Sequence, residues 1–137
     1  MGERFGHEKD VYVLTSKSTF SAAEDFSFAM KNLKRVTIVG ETTGGGAHPG
    51  ETVRLAPHFD MFVPRGRAYD RKTNTDWEGV GVTPDFSVKA EDALKTAQVI
   101  VLKKMAATEK NAGVLARLSS RIAKVEAADT ADTLEEE

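Results

Sequence analysis

Two short apolar, β-branched runs flanking an amphipathic stretch constrain this chain most strongly. Val11 to Leu14 reads as a short buried strand, residues 21–33 as a helix, and Val36 to Val39 as a second strand. Strand, helix and strand follow one another within about 30 residues, the signature of a βαβ crossover. Strands joined in that way lie parallel, so the expected class is α/β with a mainly parallel sheet. Ala22, Phe26, Ala29, Met30 and Leu33 recur at the 3.6-residue period and mark the helix face expected to meet the core.

The first crossover turn carries the most reactive pattern in the sequence. In Thr15-Ser16-Lys17-Ser18-Thr19-Phe20-Ser21-Ala22-Ala23-Glu24 a polar turn leads into the helix. A serine there sits beside the unpaired N–H groups and positive dipole end of the helix. Those groups would stabilise an alkoxide or an oxyanion, which makes Ser21 a candidate nucleophile. Ser21 and Glu24 also fit the S-x-x-E capping box, so a purely structural cap explains the same residues. The local pattern leaves both readings open.

A glycine-rich loop follows the second strand: Gly40-Glu-Thr-Thr-Gly44-Gly45-Gly46-Ala-His48-Pro-Gly50. It lacks the G-K-[ST] ending of a phosphate-binding loop and does not open a helix. Its glycines point to positive φ or close backbone approach, and a substrate backbone lying along the loop is one reason for that. Thr52 to Val63 holds one or two strands punctuated by Pro57 and Pro64, and residues 65–76 form a polar, basic loop. Trp77 to Asp85 is turn-rich and leads to a strand at Phe86 to Val88. Glu91 to Ala106 reads as a second helix with an acidic start. Leu115, Leu118, Ile122 and Val125 space a third helix over Ala112 to Glu126, either docked on the body or presenting a partner-binding stripe. Residues 127–137 are acidic and rich in small residues.

Composition removes several function classes. No cysteine is present, which excludes disulfides, thiolate metal sites and a cysteine nucleophile. The net charge is −2, and Lys and Arg are scattered without aromatic interleaving, so no nucleic-acid partner is expected. Apolar runs fall far short of the roughly 20 residues that span a bilayer, so no membrane span is expected. No cofactor or metal is expected either.

Three separated segments resemble the tail-specific (C-terminal processing) serine protease family. They are Val11-Tyr-Val-Leu-Thr-Ser-Lys-Ser-Thr-Phe-Ser21-Ala-Ala-Glu24, Thr37-Ile-Val-Gly-Glu-Thr-Thr-Gly-Gly-Gly46, and Trp77-Glu-Gly-Val-Gly-Val-Thr-Pro-Asp-Phe86. They stand in the family's order and cover about residues 8–106. The branch resembled most holds the interphotoreceptor retinoid-binding protein repeats and the tricorn-like enzymes. The resemblance implies a ClpP/crotonase-like core of layered β, β and α. It places the family's nucleophile at Ser21 and an oxyanion donor at the Ala22 N–H. It implies a polypeptide substrate lying against Gly44, Gly45, Gly46 and His48. The lysine base of many members falls at Gly46, which has no side chain, so a Ser–Lys dyad is not available there. Lys31, Lys34 and Lys72 read as solvated surface charges. In the tricorn-like branch a histidine serves instead, supported by a glutamate that falls at Glu78, 57 residues after Ser21. His7, His48 and His58 are the histidines available, whereas that branch draws its histidine from well upstream.

The family's D-L-R-x-N-x-G-G segment has no counterpart in residues 1–20. The expectation is therefore the C-terminal part of a catalytic domain over residues 1–106, with a helical and acidic tail over 107–137. The resemblance implies an exported or periplasmic parent that is a serine endopeptidase, with this fragment nearly inactive alone. Such a fragment is expected to form homo-oligomers through exposed core or sheet edge. The rival reading is a non-catalytic carrier of apolar ligands, with Phe20, Phe26, Phe28, Phe59 and Phe62 lining a cavity. A third is an oligomerising module that uses the 112–126 stripe.

Overall fold

The computed structural model describes residues 8–128. Strand β1 (Tyr12–Thr15) leads through the Ser16–Ser21 turn into helix α1 (Ala22–Asn32), and the chain returns as β2 (Thr37–Gly40). β1 and β2 pair in parallel from Tyr12 opposite Thr37 to Thr15 opposite Gly40, so the βαβ unit forms as the apolar runs predict. β5 (Phe86–Ser87) adds in parallel on the other side of β2, giving the order β1-β2-β5. β3 (Gly50–Ala56) and β4 (Phe59–Pro64) make a separate antiparallel hairpin. Helix α2 (Ala90–Thr108) and helix α3 (Ala112–Ala127) follow.

Strand alternation divides the core between the two sheet faces. On one face Ile38, with Val13 beside it, packs with Ala47, Trp77, Val82 and Phe28 of α1. On the other, Val39 and Tyr12 meet Ala93, Ala97 and Ile100 of α2. Helix α3 docks on α2, with Lys103 and Glu126 paired at 2.8 Å and Lys95 Nζ donating to the Ala128 carbonyl at 2.7 Å. The 112–126 stripe is thus spent at least in part on packing, with Val125 buried.

Helix α1 turns a different face inward from the one its apolar spacing marks. Phe26 is 52% exposed and Leu33 70%, while the buried residues are Glu24 and Ser27. Ser27 satisfies itself by donating to the Ala23 carbonyl at 2.7 Å. Glu24 is buried because its partners are polar, as described below. Lys31 is not a solvated charge: it pairs with Asp85 at 3.2 Å and donates to the Thr83 carbonyl. Asp85 in turn accepts the Ile38 N–H at 2.8 Å, which ties the Thr83-Pro84-Asp85 turn to β2.

Gly40 ends β2 at φ +136°, and a Cβ there would lie 2.0 Å from the Thr15 carbonyl oxygen. Only glycine lets β1 and β2 stay paired to their last residues while the chain turns into the glycine-rich loop. The strand ends thereby bring the Ser21 turn and that loop together.

Candidate active site

Ser21 stands where β1 has turned into α1, at φ 52° and ψ −117°. Positive φ is sterically costly for a residue with a Cβ. A serine held in such a strand-to-helix turn is the geometry that presents a nucleophilic hydroxyl in α/β-hydrolases. The turn is fixed on both sides. Ser16 N–H donates to Thr19 Oγ1 at 3.0 Å, and Gly44 N–H donates to the Thr19 carbonyl at 2.9 Å. The Glu24 half of the capping box forms, with Glu24 Oε2 accepting the Ser21 N–H at 2.8 Å, while the Glu24 N–H donates to the Ser21 carbonyl at 2.9 Å. The Ala22 N–H, next along the chain, has no acceptor among the described residues.

Glu24 is the residue that reading by sequence underestimates. Its side chain is completely buried. Oε1 accepts from Thr43 Oγ1 at 2.5 Å and Gly45 N–H at 2.6 Å, and Oε2 accepts from Gly46 N–H at 2.8 Å besides Ser21. The carboxylate therefore joins the first turn of α1 to the glycine-rich loop. Burial by itself would push this carboxyl up, but the hydrogen bonds from Thr43, Gly46, Gly45 and Ser21 outweigh it and hold the group below the usual carboxylate range. The S-x-x-E pattern signals Glu24 as a cap; the loop donors lie 19 to 22 residues further on, and no local pattern announces them.

A second carboxylate grips the same loop from the other end. Glu78 Oε2 accepts the Ala47 N–H at 2.6 Å, and Oε1 lies 3.7 Å from Nδ1 of His48. Glu78 is itself positioned by Asp76, whose Oδ1 accepts the Glu78 N–H at 2.9 Å. That bond, with help from Arg67, holds the Asp76 carboxyl below its ordinary range. Every amide from Thr43 to Ala47 is engaged, the first two by the Val82 and Thr19 carbonyls and the rest by Glu24 and Glu78. Gly45 takes φ +90° and approaches the Gly79 backbone, while Gly44 and Gly46 lie under the ring of Phe20. Gly45 is required by its φ and by the Gly79 backbone, whereas a Cβ at Gly44 or Gly46 would chiefly meet the exposed ring of Phe20.

The site residues fall into two groups. Ser21, Gly45 and Gly46 are joined through the buried Glu24 carboxylate, with Ala22 and Gly44 next to them in the chain, and His48 and Glu78 form a pair at the far end of the loop. Among the described residues no hydrogen bond joins Ser21 to His48 or Glu78. His58 is exposed in the turn between β3 and β4, and His7 lies outside the described residues. Of the five phenylalanines expected to line a cavity, Phe28 packs on Trp77 with ring centroids 5.0 Å apart, and Phe20, Phe26, Phe59 and Phe62 are more than half exposed. No group of three or more metal-ligating side chains occurs among the described residues. No helix there is long and apolar enough to cross a membrane.

Carboxylates held low in the fold make stability depend on pH with a definite sign. Glu24, Asp76 and Asp70, whose carboxylate accepts the Lys72 and Thr73 N–H groups and the Asn32 amide, all titrate below their ordinary values. Their contribution is complete above the unfolded-state values and is lost as pH falls through the folded ones. Urea midpoints should therefore be level near neutrality and fall steadily from about pH 5 to about pH 3. A midpoint that stayed level or rose over that window would show that these bonds carry no net stability.

The sequence profile of peptidase family S41 matches residues 3–88. Over 73 residues the chain is 37% identical to carboxyl-terminal-processing peptidase 2, chloroplastic, of Arabidopsis thaliana, an alignment covering 53% of this chain and 14% of that one. Among solved structures it resembles the photosystem II D1 C-terminal processing protease (TM-score 0.51, 31% identity, 61% of this chain and 22% of that one). It also resembles mature CPAF (TM-score 0.53, 26% identity, 62% of this chain and 17% of that one). The chain spans less than a quarter of the length of each of these relatives.

Proposed function

The chain belongs to peptidase family S41, the tail-specific proteases, and from that premise we propose that it is part of a serine endopeptidase acting on extended polypeptide segments. The observation that carries this reading is Ser21 at φ 52° beside an unclaimed Ala22 N–H at the start of α1. Ser21 Oγ attacks the scissile carbonyl and the Ala22 N–H receives the developing oxyanion. A serine hydroxyl needs a base, and Gly46 offers none. An imidazole takes the proton, and Glu78 orients it as the acid of a triad does. His48 lies 3.7 Å from Glu78 but in the group apart from Ser21, so the base is assigned to a histidine upstream in the full-length parent. An extended substrate adds to a sheet edge and runs along the Gly44 to Gly46 loop, meeting it at Gly44 and Gly46, because Gly45 is buried with its N–H bonded to Glu24 and its carbonyl to Gly79. The layering follows the ClpP/crotonase-like pattern. Residues 1–106 belong to the catalytic domain and 107–137 to a tail whose helix braces α2.

The test is labelling of the full-length parent by a fluorophosphonate probe. The parent should be labelled, and Ser21→Ala should remove the label while leaving the far-ultraviolet circular dichroism unchanged. Equal labelling of both proteins would remove Ser21 as the nucleophile. A folded parent that resists the probe altogether would favour the apolar-ligand carrier, with Ser21 as a helix cap.

Self-association of the isolated chain belongs to the same proposal. Phe26 of α1, Leu33 at its C-cap, and Leu55, Phe59 and Phe62 on the hairpin are all more than half exposed. Such a surface favours assembly over a dispersed monomer. Sedimentation of the 137-residue chain should show dimers or larger species; a monomer at every concentration would count against it.

A further inference from the structure

Phe20 directly precedes the candidate nucleophile, and its ring lies on the backbone of Gly44 and Gly46. Gly44 and Gly46 do not have the positive φ that Gly45 has, so backbone conformation is not what demands glycine at either position. A Cβ at Gly46 would lie 2.3 Å from Cζ of Phe20 and 2.7 Å from Cε1 and Cε2, and a Cβ at Gly44 would lie 2.7 Å from Cδ2. One side of the ring therefore rests on bare backbone. Phe20 is nonetheless 57% exposed. A single exposed apolar side chain is ordinary on a protein surface. One that rests on a loop cleared of side chains, in a turn pinned through Thr19, and next to a strained serine is a preorganised surface.

We propose that Phe20 is the apolar platform for the substrate side chain next to the scissile bond, so that the enzyme prefers polypeptides with a large apolar residue there. The proposal rests on the proteolytic reading of Ser21. Its chemistry is burial of the ring's exposed part against an aliphatic or aromatic side chain, with the Gly44 and Gly46 backbone as the floor. An acidic or basic side chain at that place would give up its hydration without gaining a partner.

Two measurements on the full-length parent test it. In the first, kcat/KM is compared for quenched peptides that differ only in having leucine or aspartate before the scissile bond. The parent should favour leucine, and Phe20→Ala should shrink the leucine-to-aspartate ratio by about 10- to 100-fold, the scale on which apolar contacts discriminate. In the second, binding of the leucine peptide to the Ser21→Ala parent is followed by fluorescence anisotropy. Adding Phe20→Ala should weaken it on the order of tenfold or more. A ratio and an affinity that ignore Phe20 would overturn the platform. Phe20-dependent binding in a parent with no hydrolysis and no probe labelling would keep the platform and reject the proteolytic reading instead.

Discussion

Glu24→Ala is expected to cost most of the stability of this fold. The substitution leaves the Gly45 N–H and the Thr43 hydroxyl without their acceptor in a buried spot, and the N–H groups of Ser21 and Gly46 without theirs in a partly buried one. Each buried donor left unmade costs about 1–3 kcal/mol, so the loss is on the order of 3–5 kcal/mol even if the loop relaxes partly. A domain holds only about 5–15 kcal/mol in total, so the variant sits near unfolding. Glu24→Gln keeps the shape and separates charge from size. One amide oxygen can serve Thr43 and Gly45, but the NH2 then faces the N–H groups of Ser21 and Gly46, donor against donor. The glutamine variant should recover less than half of the loss. Urea denaturation gives the energies, and hydrogen exchange at Gly45 and Gly46 locates the damage. An alanine variant within about 1 kcal/mol of the parent would show that water replaces the carboxylate and that the loop is not held by Glu24.

How legible the molecule is in its sequence follows from the range of the interactions concerned. β1, α1 and β2 stand within one or two residues of where apolar runs and the S-x-x-E start place them, because those signals are local. The inward face of α1 is misread for a physical reason. Apolar spacing assumes an apolar partner, but part of α1 meets a loop whose N–H groups require a carboxylate, so Glu24 goes in and Phe26 stays out. The glycine-rich loop is similarly half legible. Its glycines announce close approach, and what approaches is the Phe20 ring and the Gly79 backbone. Glu78 is visible as part of a motif, whereas its grip on Ala47 and its nearness to His48 depend on a fold that joins residues about 30 apart.

Trp77→Ala is the second substitution expected to have a large effect, and it reaches the site through Glu78. Trp77 is the largest fully buried side chain, packed with Ile38, Ala47 and Val82 and against the Phe28 ring at 5.0 Å. Truncating a buried tryptophan to alanine costs about 3–5 kcal/mol, because the cavity closes only in part. The next residue is Glu78, so a slack backbone here also loosens the bond to Ala47 and the pairing with His48. Trp77→Phe is the discriminating control. It keeps an aromatic ring in the cluster and removes the indole N–H, which is buried without an acceptor among the described residues. Losing that unpaired donor offsets part of the lost volume, so the cost should stay below about 1.5 kcal/mol. Trp77 is the only tryptophan, so thermal unfolding is best followed by circular dichroism rather than intrinsic fluorescence. If phenylalanine and alanine destabilised the protein equally, the indole N–H would have to be bonded, through water or through the rest of the parent. Trp77 would then anchor the Glu78 end of the loop by a polar contact as well as by its bulk.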